Sequence, residues 1–127
     1  MNLRDKVLSY LYDKRSATIE EIANAIQEEK DYVQATLRVL ENEKLVRRAQ
    51  KGLIFKKTVY ELTPTGLEKA SEAYERLKEK ASQLQYIIQG DEVPQELADL
   101  LPLMLTLSLI EATMIQDMML FDVFDNM

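Results

Sequence analysis

The stretch Lys30–Val46, KDYVQATLRVLENEKLV, most constrains this chain. Val33, Leu37 and Leu40 recur at i, i+4 and i+7, placing three branched apolar side chains on one helical face. Lys30, Asp31, Gln34, Ala35 and Arg38 fall on the remaining surface, which is short, polar and mixed in charge. The pattern turns strand-like at Leu45-Val46. A helix divided this way can hold to a core with one side and lie in a DNA major groove with the other.

The neighbouring residues supply the rest of a helix-turn-helix. Leu3, Val7, Leu8 and Leu11 are spaced as the inner face of a first helix, with Lys14 and Arg15 suited to its C-terminal dipole. Ser16-Ala17 reads as a short break. Thr18-Ile19-Glu20-Glu21 is a capping box, in which the Thr18 hydroxyl accepts from the Glu21 amide and the Glu21 carboxylate reaches back. It opens a second helix with Ile19, Ile22, Ala23 and Ile26 inward, and a polar turn at Gln27–Glu29 then leads into the third. Gly52, one of only three glycines, marks a turn between two candidate strands, roughly Leu45–Gln50 and Phe55–Leu62. A hairpin directly after a helix-turn-helix is a wing. Leu53-Ile54-Phe55 is an unusual apolar run for its tip.

Charge is unevenly spread. The formal net charge is −6, yet all 16 Lys and Arg lie in residues 1–80, and residues 81–127 hold 8 acids and no base. Between residues 44 and 57 stand Lys44, Arg47, Arg48, Lys51, Lys56 and Lys57 with no acid among them. An electrostatic footprint depends on local distribution rather than on the total. The chain has no Cys, which excludes disulfides and thiolate metal sites. It has no His, which removes the usual general base and the commonest zinc ligand. There is no phosphate-cradling Gly-rich loop either, so the expectation is no enzyme, no cofactor and no metal.

Tyr60-Glu61-Leu62-Thr63-Pro64-Thr65-Gly66 resembles the Y-x-L-T-x-x-G junction that closes the wing in winged-helix regulators of the MarR and PadR type, with Tyr60, Leu62, Thr63 and Gly66 in the matching places. The physics of the segment agrees: Thr63 can cap the following helix, and Pro64 at its first position loses no needed hydrogen bond. The resemblance covers about residues 3–80. It implies a winged helix and a DNA-binding transcriptional regulator.

From Pro64 a long helix is expected to about Gln89. Leu67, Ala70, Tyr74, Leu77, Ala81, Leu84 and Ile88 form a continuous seam at heptad spacing. Gly90–Pro94 breaks it. Residues 94–124 are the most apolar stretch and cover every helical face, with Pro102 expected to kink or divide the helix. The uncharged run 100–110 is too short for a membrane span, which needs about 20 residues, and no cation flanks it. Methionines such as Met114, Met118 and Met119 suit adaptable core packing. A helix apolar all round needs more than one neighbour, and a homodimer through 64–124 supplies it.

The reading is therefore a mostly α chain: three helices and a β-hairpin wing in a domain of residues 1–63, followed by long C-terminal helices in a dimerisation region of residues 64–127. Its partner is double-stranded DNA, bound sequence-specifically. Lys30, Tyr32, Gln34, Ala35 and Arg38 would face the groove, and Arg47, Arg48, Lys51, Lys56 and Lys57 would hold phosphates. The alternative is a winged-helix adaptor that binds protein and not DNA, since residues 1–80 are only slightly basic. No polar cluster marks a small-molecule effector site. The N-terminus, MNLRDKVLSYLYDKR, is charged throughout and has no apolar h-region, which points to the cytoplasm.

Overall fold

The computed structural model describes residues 1–84 and 92–111. It is a winged helix. Helix α1 (Leu3–Lys14) starts on Asn2, whose side chain accepts from the Asp5 amide, and buries Val7, Leu8 and Leu11. Helix α2 (Ile19–Ile26) starts on the expected capping box, with both reciprocal bonds at 3.1 Å. Helix α3 (Lys30–Asn42) buries Val33, Leu37 and Leu40 completely. Each of the three helices is followed by a non-glycine residue at positive φ: Arg15 at 72°, Gln27 at 57° and Lys44 at 63°. That conformation costs an L-residue roughly 1–2 kcal/mol. It lets the Arg15 amide reach Leu11 O and the Leu45 amide reach Leu40 O, both at 2.9 Å, which satisfies carbonyls the ending helix leaves open.

Ser16–Ala17 is not a plain break but a short strand, β1. It pairs antiparallel with β3 (Lys57–Leu62), which also pairs with β2 (Val46–Lys51), giving the order β1-β3-β2. The register runs from Val46 opposite Leu62 to Lys51 opposite Lys57. The hairpin strands are thus shifted from the sequence reading: β2 begins and ends one residue later, and β3 begins at Lys57 rather than Phe55. Residues 53–55 belong to the turn, because Gly52, at φ 119°, folds back so closely that a Cβ there would overlap the Phe55 carbonyl.

The wing closes at Thr63. Its amide donates to Leu45 O at 3.0 Å and its hydroxyl donates to Lys44 O at 2.6 Å. The same hydroxyl accepts from the Gly66 amide at 3.0 Å and so caps α4 (Pro64–Gln83). Gly66 lies against the Leu45 backbone so closely that any Cβ would occupy the place of the Leu45 carbonyl.

Helix α4 packs along α1 and buries Ala70, Ala73, Leu77 and Ala81, and Leu84 just past its end is buried as well. The expected seam holds from Leu77 to Leu84 but differs earlier, where Ala73 is buried and Leu67 is 39% exposed. Tyr74 lies at the margin, its ring 4.9 Å from that of Tyr12. The continuation expected to Gln89, and Ile88 with it, lies outside the described residues.

Of the two outcomes expected at Pro102, a kink or a division, the structure shows a division. Two short helices occupy the start of residues 94–124, α5 (Gln95–Ala98) and α6 (Leu101–Thr106), with Pro102 in the first turn of α6. The proline divides the segment as a helix starter, and Ser108 at φ 58° follows the end of α6. Leu97, Leu100, Leu103, Met104, Leu107 and Ile110 are buried in the same hydrophobic cluster as α1, α2 and α3. These residues were expected to need a second copy, but their own chain covers them. Positions 112–124, including the three methionines, lie outside the described residues. No helix among the described residues is long and apolar enough to cross a membrane.

Gly66→Ala tests the junction. Helix propensity alone would favour alanine by about 1 kcal/mol, but overlap with the Leu45 carbonyl forces the backbone apart, and overpacking of this kind costs about 1–3 kcal/mol. Denaturant unfolding should therefore show a destabilised protein; an unchanged or raised midpoint would mean that the close approach is not rigid.

Candidate nucleic-acid interface

The stripe Val33-Leu37-Leu40 fixes which side of α3 faces out. Ala35 stands opposite that stripe, with Asp31, Arg38 and Val39 beside it and Lys30 and Gln34 on one flank. All are exposed, as is Tyr32 at 58% on the other flank. A small residue at the centre lets the helix axis approach a surface closely. Gln34 and Arg38 carry side chains able to bond base edges. Among the described residues Arg38 has no ion pair. Asp31 on the same face opposes phosphate. Val39, 52% exposed, was not singled out in the sequence. Its position four residues after Ala35 was the available signal, and an apolar side chain there suits a thymine methyl.

The wing cations are all exposed, but most of them have an acid nearby. Arg47 and Lys51, four positions apart on one face of β2, converge on Glu61 at 3.4 and 3.3 Å. Lys51 also donates to Ser16 Oγ at 3.1 Å. Arg48, on the other face, reaches Glu41 of α3 at 3.2 Å and so ties the hairpin to the end of that helix. Lys30 lies 3.8 Å from Glu20. Lys56 has no ion pair among the described residues. The stretch 44–57 is free of acid in sequence, but α3 and β3 supply two carboxylates in space, Glu41 and Glu61. Exposed pairs of this kind contribute roughly 0–1 kcal/mol, so a phosphate can displace the carboxylate at little cost.

At the wing tip Leu53, Ile54 and Phe55 are 100%, 86% and 89% exposed, so they do not pack back on the domain. Open clefts lie between Thr18–Glu20 and the strand residues Arg48, Lys57, Thr58 and Tyr60, and between the end of α1 and the start of α4. Among the described residues no cluster of acids could hold a metal ion.

Glu21 carries the one shifted carboxylate near the wing. The Thr18 amide bonded to it holds its pKa below the ordinary glutamate value; burial opposes this, and the Thr18 hydroxyl and the charge of Lys57 add to the lowering.

A family model described as replication-relaxation matches residues 8–99, from α1 through α5. No curated protein sequence matches. Among solved structures, a transcriptional regulator homologue from Pyrococcus horikoshii OT3 is similar at 26% identity, with a TM-score of 0.51, over 65% of this chain and 82% of that one. MepR of S. aureus, in a structure of its complex with DNA, is similar at 24% identity and a TM-score of 0.55, over 86% and 77%. A mutant of ZitR from Lactococcus lactis reaches a TM-score of 0.58 at 15% identity, over 85% and 73%. At identities below 25% the likeness is one of fold.

The Glu21 shift has a definite sign. A carboxyl whose pKa is lowered by folding adds stability above its unfolded pKa, and that stability is lost as pH falls through the folded value. Wild type should therefore exceed Glu21→Gln in unfolding free energy by more at neutral pH than at about pH 3. Urea titrations at both pH values check this; an equal difference at the two would remove the carboxylate's role.

Proposed function

Because the chain belongs to the replication-relaxation family, and because its fold exposes a polar third helix beside a cationic wing, we propose that it is a sequence-specific DNA-binding transcriptional regulator. The outer face of α3 carries the proposal: Gln34 and Arg38 flank the small Ala35 on an exposed helical surface. Lys30, Tyr32, Gln34, Ala35 and Arg38 lie against the major groove, and Arg47, Arg48, Lys51, Lys56 and Lys57 hold phosphates, the first three by exchanging a carboxylate for one. The regulators among the similar structures, one of them bound to DNA, support this reading. The MarR or PadR type suggested by Tyr60–Gly66 is supported by the junction geometry, while the family model that matches is a different one. The protein has no chemistry of its own.

The proposed division is a DNA-binding domain over residues 1–63 and a dimerisation region over 64–127. The homodimer argument is narrower than the sequence made it, since the apolar residues from Leu97 to Ile110 are largely covered within the chain. Its support is now Leu105, 41% exposed, and Leu67 on α4, together with the apolar composition beyond residue 111. Two copies related by a two-fold axis would place their α3 helices about 34 Å apart or a multiple of that, and so read a palindrome. The adaptor reading draws on the pairing of the wing cations with Glu41 and Glu61, which lowers the positive field a DNA would meet.

Selection of bound fragments from genomic DNA at stated salt tests the proposal. Affinity for the selected site should fall steeply with salt, since each phosphate contact contributes a slope of about 0.9. Gln34→Ala and Arg38→Ala should each cost about 1–3 kcal/mol on that site and little on random DNA. Both positions are exposed, so melting temperature should hold. An absence of salt-dependent binding favours the adaptor; equal binding by the variants moves base reading away from α3.

A further inference from the structure

Three adjacent large apolar side chains at 86–100% exposure are a surface that needs a partner. Their setting specifies its chemistry. Lys51 and Lys57 face each other as the last strand pair beneath the tip, and Lys56 lies between the tip and β3. No acid occurs from Lys44 to Lys57 in sequence. The conformation of the tip is also specified: Gly52 permits the close approach of the Phe55 carbonyl, which holds Leu53, Ile54 and Phe55 in an outward turn. An apolar point ringed by cations fits a partner whose outside is anionic and whose inside is apolar. Duplex DNA has this order, with phosphates outside and stacked bases within. A lipid surface shares it, but the hairpin is tied through Arg48 and Glu41 to α3, whose exposed Gln34 and Arg38 suit base edges.

We propose that Leu53, Ile54 and Phe55 form a wedge that enters the minor groove, partly unstacks one base step and kinks the duplex. The inference rests on the DNA-binding reading above. With α3 in the major groove, the hairpin tied to its end through Arg48 and Glu41 reaches the adjacent minor groove. Lys51, Lys56 and Lys57 then hold the phosphates on either side of the opened step. Apolar wedges of Phe, Leu or Ile bend DNA by about 20–90°. Flexible steps such as TA open most easily, so the tip adds sequence preference at a position where it makes no hydrogen bond.

The test uses the full chain and an alternating TA duplex of about 30 base pairs, with 2-aminopurine replacing some adenines and a fluorophore pair on its ends. Wild type should raise 2-aminopurine emission several-fold and shorten the end-to-end distance. Replacing the tip by Leu53→Ser, Ile54→Ser and Phe55→Ser together should abolish both signals and weaken binding about tenfold while leaving the salt slope unchanged. Phe55→Leu alone should retain them. Because the tip is exposed, the circular dichroism and melting curve of the triple variant should match wild type. Salt-dependent binding with neither signal in wild type would overturn the wedge and leave the DNA-binding reading standing. No binding to DNA would overturn both, and capture by phosphatidylserine vesicles that the triple variant loses would assign the tip to lipid.

Discussion

The contact of Thr63 and Gly66 with the Lys44–Leu45 backbone sets the geometry on which the rest depends. One threonine donates twice to the segment leaving α3, through its amide and its hydroxyl, and its hydroxyl also caps α4. The missing Cβ at Gly66 lets the first turn of α4 rest on the Leu45 carbonyl. The two ends of the hairpin are thereby closed onto each other, Val46 opposite Leu62, and α4 is directed back along α1. Burial of Ala70, Ala73 and Leu77 against α1 follows from that direction. So does the base on which α3 is seated. A loss of this contact would alter the angle between wing and helix before it altered either one.

Electrostatics on the wing is a balance, not a uniform positive patch. Glu61 serves Arg47 and Lys51 together, and Glu41 serves Arg48. In the free protein these pairs lower self-repulsion among closely spaced cations, including Lys51 directly across from Lys57. Against a phosphate array the same carboxylates become a cost. Binding should then be weaker than a count of cations suggests, with a shallower salt slope, because the displaced carboxylates take up counterions. Such a wing favours a partner that supplies many phosphates at once over one that offers a few scattered acids.

Much of this architecture was legible in the sequence because its signals are local. The capping box at Thr18–Glu21, the stripe Val33-Leu37-Leu40 and the segment Tyr60–Gly66 each state their own structure, and each is found in place. The helix ends were harder, since Arg15, Gln27 and Lys44 adopt positive φ without being glycine. At them helix ends close by bonds to Leu11 O, Ala23 O and Leu40 O, a role that glycine usually signals in a sequence. The two-residue strand Ser16–Ala17 exists only because β3 passes beside it. The C-terminal segment has a similar limit: apolar residues on every face reveal that they will be buried, but not that α2 will help to bury them. At the interface, the positions of Lys30, Gln34, Ala35 and Arg38 followed from helical periodicity. The acids that pair with the wing cations, Glu41 and Glu61, come from α3 and β3, so a count within 44–57 could not include them.

The central claim is that α3 and the hairpin together meet DNA, and an NMR titration of the intact chain with duplex DNA tests it most directly. Amide shifts should change with increasing DNA at Lys30, Gln34, Ala35 and Arg38 and along Val46–Leu62, and should reverse on addition of salt. Amides of α5 and α6 should hold still or move only slightly. Shifts confined to α4–α6, or an unchanged spectrum at low salt, would contradict the account.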